Sequence, residues 1–522
     1  MSVSRHAGAL LPLFSASSST SWGIGELADI APLSKWLRRA GCDRLMLLPI
    51  GTMAEGGTSP YSPSSAMAID PIFIAIEHLD DFARAGGVAA LSDEARVQLA
   101  ILRATTRVDH ALVRAVKREA LDRAFHRFVT EEWEQFTLRG SELAGYIATE
   151  RWWLDDYALF KAIEIEMGGT AWIEWPHALA ARQAGAIGDA RRRLQREVLK
   201  QQYLQWIAET QWRAAHAAAR AEGVTIFGDV PFMVMDHSAD VWARSGEFWL
   251  DATVGAPPDP FSATGQDWGM PVYRWDVIAA GGYSWMRDRA RRMAALYDGF
   301  RIDHIIGFYR TYARPKQGEP FFIPADEPTQ VAQGEALLRL FIDTGAVVVA
   351  EDLGVVPHFL RASLDRLGVP GYRVMRWERA WHEPGSPFLD PRGYPARSVA
   401  ATGTHDTETL ALWWEVLGAE DRRAVLQLLE HVGAGATVRQ NLESGAVIDA
   451  LLAATYAAAS DEVFIPMQDL FGWRDRINTP ATVTTDNWTW RIPWPVDRLL
   501  DIPEAASRAD FLRELAQRTG RS

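Results

Sequence analysis

Six short apolar runs recur along the chain with little polar interruption. They are LMLLPI (45–50), VTIFGDVPF (224–232), FRIDHII (300–306), VVVAEDLG (347–354), SVAATGTHD (398–406) and DEVFIPMQD (461–469). IDPIFIAI (69–76) and YRVMRWE (372–378) are weaker runs of the same kind. Near-continuous rather than alternating apolar character predicts strands buried on both faces of a parallel sheet. Most runs follow a stretch with helical spacing of apolar residues, such as LADIAPLSKWLRRAG, QWRAAHAAARAEG, SWMRDRARRMAALYDG and GEALLRLFIDTG. Strand and helix alternating eight times predict an α/β fold, a (β/α)8 barrel of the TIM type. A doubly wound sheet is the rival, but it normally carries a Gly-rich turn after its first strand. The only near match, GIGE at 23–26, precedes the first run.

Two stretches break the barrel spacing. Residues 82–215 are rich in Ala, Arg and Glu and poor in Gly and Pro, which predicts a helical insertion subdomain between the second and third strands. Residues 236–282, with VGAPPDPFSATGQDWGMPVY, are rich in Gly, Pro, Asp and aromatics. So long a loop in a compact domain is usually functional, often a lid over the active site. The whole chain, 1–522, is otherwise expected to be one catalytic barrel that ends near residue 500, with no C-terminal β-sandwich domain.

Composition narrows the function. The 522 residues are 48% apolar, enough for a sizeable core. The net charge of −13 argues against nucleic acid or an anionic membrane as the main partner. One cysteine, Cys42, excludes an internal disulfide framework and a cysteine-built zinc site, and a reducing compartment is the simplest reading. The N-terminal Arg5, AGALLPLF (7–14) and SAS imitate a short signal peptide, but the run is at the lower limit for an h-region and contains Pro12. No later run approaches the ~20 apolar residues of a membrane span, so a cytoplasmic protein is expected. The 22 Trp are high for this length; most belong in a core, and the rest hint at a site that stacks planar or sugar-like ligands.

The strong strands end in Asp, Glu or His, and a barrel keeps its chemistry at the C-terminal strand ends. In FRIDHIIG, Arg301 and Asp303 share a strand face. A guanidinium beside a carboxylate keeps it ionised, which suits a nucleophile, although a lone R-x-D is more often a structural pair. In AEDLG, Glu351 and Asp352 face opposite ways, so only one enters the barrel mouth. Apolar flanks raise a carboxyl pKa, as a general acid needs; Asp352 reads as a loop or helix cap. GTHDTE places His405 and Asp406 where a substrate hydroxyl can be gripped, although a lone His-Asp is more often a satisfied surface or core pair, and GDVPF adds Asp229 with the same ambiguity. Jointly, two or more carboxyls at the mouth of one barrel are the apparatus of glycoside chemistry. Metal-ligand spacing, a G-x-S-x-G elbow and a P-loop are missing from the sequence.

These motifs, in this order, make the chain resemble the amylomaltases, the 4-α-glucanotransferases or disproportionating enzymes of the α-amylase superfamily. The resemblance runs from about residue 5 to about 494, through RHAGALLPLFS, WGIGELAD, TSPYSPSSAMAIDP, YLQWIAETQW, GDVPFMVMDHSADVWA, PPDPFSATGQDWG, FRIDHIIGFYR, AEDLG, GTHDTET and NTPATVTTDNWTWR. It implies Asp303 as nucleophile, Glu351 as acid/base and Asp406 as a third carboxylate on the ring hydroxyls of the distorted sugar. It also implies that Arg301 supports Asp303, that His304 and His405 contact the sugar, and that Tyr61 is the aromatic platform beneath it. Asp259, Phe261, Gln266 and Trp268 fall in the lid, and the family uses no metal or organic cofactor.

The implied function is retaining transfer of α-1,4-glucan segments between maltooligosaccharides or glycogen- and starch-like glucans. An α-amylase-type hydrolase with the same carboxylates is the rival, and a non-catalytic glucan-binding protein is a second. The expected partners are donor and acceptor sugars, with a monomer or homodimer as the assembly. The sequence departs from the family pattern at Pro260 in P-P-D-Y-F, at Met270 in W-G-N-P, at Ala481 in N-x-P-G-T, and in lacking the Trp of A-x-x-G-x-W. The departures fall where donor and acceptor chains are expected to bind.

Overall fold

The computed structural model describes residues 4–54, 56–258, 264–434, 444–480, 482 and 484–521. Eight parallel strands close into a barrel in chain order: His6–Leu11, Arg44–Leu47, Thr225–Val230, Gly299–Ile302, Val347–Ala350, Gly371–Val374, Ser398–Ala401 and Glu462–Pro466. The last pairs back with the first. The fourth and seventh strands are buried along their whole length, which is why their sequences lack alternation. Helices such as Ile30–Arg39, Ser284–Leu296, Glu327–Ile342 and His358–Leu367 cover the outside. Beyond Pro466 the described residues contain helices and turns but no further strand.

Three expectations need correction. The apolar run that imitated an h-region is the first barrel strand, His6–Leu11, hydrogen-bonded between the last strand and the second. A two-sided buried strand and a short h-region have the same hydropathy, so only pairing tells them apart. IDPIFIAI is not a strand. The Asp70 side chain accepts from the backbone N–H of Ile72 and of Met53, and Pro71 opens a 3-10 turn over Pro71–Phe73. Arg114 then holds Asp70 with two hydrogen bonds of 3.0 and 2.7 Å. Finally, much of 236–282 is ordered into strands. Phe248–Ala256 and Gln266–Tyr273 form an antiparallel pair, and Thr311–Pro315 and Phe321–Ile323 extend it to a four-stranded sheet.

Between the second and third barrel strands the chain is mostly helical. His110–Phe128, Leu138–Glu166 and Gln195–Ala221 are the long elements. Asp109 and Thr137 cap the first two by accepting from Leu112 and Gly140 N–H. Buried ion pairs fasten these helices to the rest: Lys117 to Glu26 at 2.5 Å and Arg292 to Glu209 at 2.9 Å. Among the described residues no helix is long and apolar enough to cross a membrane.

Candidate active site

The two central carboxyls stand one residue past the C-terminal ends of two adjacent barrel strands. The fourth strand ends at Ile302, and Asp303 extends its ladder by donating its N–H to Val230 O at 3.1 Å. The fifth ends at Ala350, and Glu351 N–H donates to Ile302 O at 3.1 Å. The two carboxyls therefore stand on neighbouring strands at the same height. Arg301, two residues before Asp303 and on the same face, reaches up between them.

Arg301 is the hub. It is 4% exposed. Its Nη2 lies 3.0 Å from Asp303 Oδ1 and 3.8 Å from Glu351 Oε2, and its Nη1 lies 2.6 Å from Asp229 Oδ2. The shared nitrogen limits those Asp303 and Glu351 oxygens to about 7 Å apart, against about 5–5.5 Å between carboxyls in retaining glycosidases and about 6.5–9.5 Å in inverting ones. One cation facing three carboxyls cannot compensate them all in a buried setting. Burial pushes the Glu351 carboxyl up to about 8, with Asp303 adding to the rise while Arg301 and the N–H of His304 oppose it. Asp229 is also raised, again by burial first.

His304 turns the chain sharply after Asp303. Its φ of 46° is left-handed, a costly conformation for a residue other than glycine. The turn lets its N–H donate to Glu351 Oε2 at 2.7 Å. Burial, and the positive Arg301 nearby, hold the imidazole down to about 4, so it is neutral at neutral pH. Trp268 meets the His304 ring edge-on, with centroids 4.7 Å apart, and donates its Nε1–H to Gln266 Oε1 at 3.0 Å. Residues 266 and 268 share a face of the Gln266–Tyr273 strand.

A second arm carries His405 and Asp406, which lie in the turn after the seventh strand. Tyr61 stacks on His405 with centroids 4.7 Å apart and planes 18° apart. The Tyr61 hydroxyl donates to Asp229 Oδ2 at 2.6 Å, and its oxygen lies 3.2 Å from His405 Nδ1. Burial alone would raise the Asp406 carboxyl, but the His405 ring at 3.4 Å and the Asn478 amide at 2.7 Å bring it down to about 2. The two arms meet through Asp229 and Arg301, so nine of the eleven residues singled out in the sequence form one connected network. The other two, Asp259 and Phe261, lie outside the described residues.

Asp352 faces away. It is 1% exposed and accepts from Tyr372 N–H at 2.6 Å and from Arg361 Nε at 3.1 Å. It ties the fifth strand to the sixth. A Cβ at Gly371 would sit 2.6 Å from its carboxyl, which is why that strand opens on glycine. Asp229 stood out in the sequence only as an ambiguous strand-end candidate, and Asn478 and Trp488 had no assigned role. The strand-end position of Asp229 in GDVPF was a usable signal. Asn478 and Trp488 come from a segment whose pattern says nothing about a partner more than 70 positions away.

A sequence profile described as 4-alpha-glucanotransferase matches residues 11–497. The 4-alpha-glucanotransferase of Thermus thermophilus is 35% identical over 496 residues, covering 90% of this chain and 92% of the relative. That of Synechocystis is 33% identical over 496 residues, covering 92% of each. Among solved structures, an amylomaltase from Streptococcus agalactiae in complex with acarbose superposes with a TM-score of 0.83 at 26% identity, covering 99% of this chain and 100% of that one. The amylomaltase of Corynebacterium glutamicum gives 0.78 at 22% identity, covering 97% and 75%, and speaks for the fold alone.

Proposed function

The chain belongs to the 4-alpha-glucanotransferase family, and from that premise we propose how its residues divide the work of moving an α-1,4-glucan segment from donor to acceptor. Asp303 attacks the anomeric carbon and forms a covalent β-glucosyl-enzyme. Glu351 protonates the departing glycosidic oxygen. It then takes the proton from the incoming sugar hydroxyl, which attacks the same carbon and restores the α configuration. The observation that carries this division is the single buried guanidinium shared by Asp303 and Glu351. Arg301 lies 3.0 Å from an Asp303 oxygen and 3.8 Å from the nearest Glu351 oxygen, so it favours charge on the aspartate and leaves the proton to the glutamate.

Asp406, ionised well into acid, takes the ring hydroxyls of the distorted sugar, and Tyr61 with His405 forms the surface beneath it. Neutral His304 offers a hydrogen bond without a competing charge. Gln266 and Trp268, with Asp259 and Phe261, contact the glucan from the 236–282 segment, whose start is held by the helical subdomain at 82–215 through Trp172 Nε1–H to Asp236 O and Trp242 Nε1–H to Leu179 O. Excluding water and holding an acceptor both favour transfer over hydrolysis. The solitary, buried Cys42 supports a cytoplasmic setting; glucan sugars are the partners, with a monomer or homodimer as the assembly.

Products from pure maltotriose test the reading. A ladder of longer oligomers plus glucose is expected. Maltose and glucose alone would make the protein a hydrolase, and no turnover would leave it a glucan-binding protein.

A further inference from the structure

The stacked pair Tyr61–His405 does not end at two rings. Trp488 closes it, with its centroid 5.8 Å from each and its plane 49° from Tyr61 and 37° from His405. Trp488 has a φ of 63°, a left-handed backbone that a bulky residue adopts only where its surroundings over-determine it. Two tethers hold it. Its N–H donates to Ile477 O at 2.8 Å, next to the Asn478 that bonds Asp406. Its carbonyl accepts from His110 Nε2 at 2.9 Å.

His110 is the first residue of the long helix His110–Phe128, in the chain between the second and third barrel strands. The ring is 4% exposed, and its Nδ1 has no hydrogen-bond partner among the described residues. A polar ring is thus buried for one hydrogen bond, and that bond goes to Trp488. The strip around it is continuous: Val108 N–H donates to Thr489 O at 2.8 Å, and Arg107 bridges Trp490. The helical insertion therefore grips the backbone of the residue that backs the Tyr61–His405 pair.

We infer that Trp488 is a positioning residue for the sugar platform, and that the insertion sets its place through His110. The inference rests on the reading that Asp303, Glu351 and Asp406 act on one sugar above that platform. A shifted Trp488 ring would tilt Tyr61 and His405 together. Through Tyr61–Asp229–Arg301 and His405–Asp406, the shift reaches the charges that face the sugar. The loss belongs to the distorted sugar of the transition state, so it falls on kcat rather than KM.

His110→Phe keeps a planar ring, somewhat larger than imidazole, at the edge contact with Phe14 but removes the bond to Trp488. It should lower kcat by about 10-fold or more, with KM for maltotriose within about twofold. The same loss should appear with an α-glucosyl fluoride, because the platform serves the donor sugar whatever its leaving group. His110→Gln, which can restore a donor near the Nε2 position, should recover most of the activity. Trp488→Phe should fall between wild type and Trp488→Ala. If His110→Phe lowers only the melting temperature and leaves kcat within twofold on both donors, the tether is structural and the inference fails. It also fails if the fluoride is spared or Gln gives no recovery. Asp303→Ala run in parallel separates the two ideas. An active Asp303→Ala defeats the reading of the site, whereas an inactive Asp303→Ala with a fully active His110→Phe defeats only the positioning role.

Discussion

Two buried clusters of arginine and carboxylate sit in this molecule and behave in opposite ways. At the edge of the insertion, one residue before it begins, Asp81 is fully buried, yet two guanidiniums from the insertion reach it. Arg127 lies 2.7 Å away, Arg139 binds through two contacts of 2.7 and 2.8 Å, and the Tyr203 hydroxyl adds a bond of 2.9 Å. Arg127 also takes Glu132 at 2.9 Å. Burial would raise the Asp81 carboxyl, but Arg139, Tyr203 and Arg127 together hold it below the ordinary aspartate range. At the barrel mouth the stoichiometry is reversed: one guanidinium serves Asp229, Asp303 and Glu351. There burial wins, and Glu351 and Asp229 rise. A saturated cluster is ionised and inert. An under-compensated one keeps a proton in play, which is what acid/base chemistry needs.

The contrast is broken most severely at the nucleophile. Asp303→Ala should abolish turnover of both maltotriose and an α-glucosyl fluoride, by roughly 10⁴-fold or more. Substantial fluoride turnover in that variant would remove Asp303 from the reaction.

Glu351→Ala should lower transfer from maltotriose by about 10²–10⁴-fold yet still form a glycosyl-enzyme from the fluoride, whose departure needs no proton. External azide should then give a β-azide product. In the wild type the acid must be protonated. Donor turnover under kcat/KM conditions should therefore fall as pH rises through about 8, the value to which burial lifts Glu351. A flat alkaline limb up to pH 10 would contradict the charge count around Arg301.

Asp81→Asn tests the saturated side. Removing the carboxylate leaves Arg127 with Glu131 at 2.8 Å and Glu132 at 2.9 Å but Arg139 with only Glu132 at 3.6 Å among the described residues, at a cost of about 1–3 kcal/mol in folding stability. The kcat of the folded protein should stay within twofold. The sign with pH follows from the depressed carboxyl. Its stabilisation is present above the unfolded pKa and lost as pH falls through the lower folded value, so the deficit should be full at neutral pH and shrink in acid. Glu351, whose folded pKa is raised, works the other way: its favourable contribution is complete in acid and lost as pH rises through about 8. Glu351→Gln should therefore melt higher than wild type at pH 9, and Asp81→Asn lower. Urea or thermal unfolding at two pH values reads both signs.

The smallest effect is expected at Asp352. Asn retains an acceptor for the Tyr372 N–H, so Asp352→Asn should leave the chemical step within about threefold, costing the ion pairs with half-exposed Arg361 at 3.1 Å and with Arg373 at 3.5 Å. If this variant, rather than Glu351→Ala, shows the fluoride-selective behaviour, the acid has been placed on the wrong side of the strand.

Much of this was legible along the chain. Seven of the eight barrel strands coincide with runs of near-continuous apolar residues. The two-residue spacing of Arg301 and Asp303 correctly set them on one face, because strand alternation is a local rule. The same rule separated Glu351 from Asp352. Hydropathy could not tell that His6–Leu11 is a barrel strand while 69–76 is a turn, because burial of an apolar run is decided by what packs against it. The strand Phe248–Ala256 was missed because Gly and Pro blur the pattern of its hairpin partner, Gln266–Tyr273, and its other partner, Thr311–Pro315, lies more than fifty residues on.

The charge balance belongs wholly to the tertiary structure. Every carboxyl at the mouth was visible as a letter, but its proton depends on how many guanidiniums reach it, and Arg301 gathers Asp229, Asp303 and Glu351 from three strands. Likewise the stack of Tyr61, His405 and Trp488 joins residues hundreds of positions apart. Periodicity is a property of neighbours in the chain, whereas desolvation and Coulomb energy are sums over neighbours in space. The sequence alone therefore determined which residue types stand at the strand ends, and the fold decided which of them is neutral, which is ionised and which merely holds the others in place.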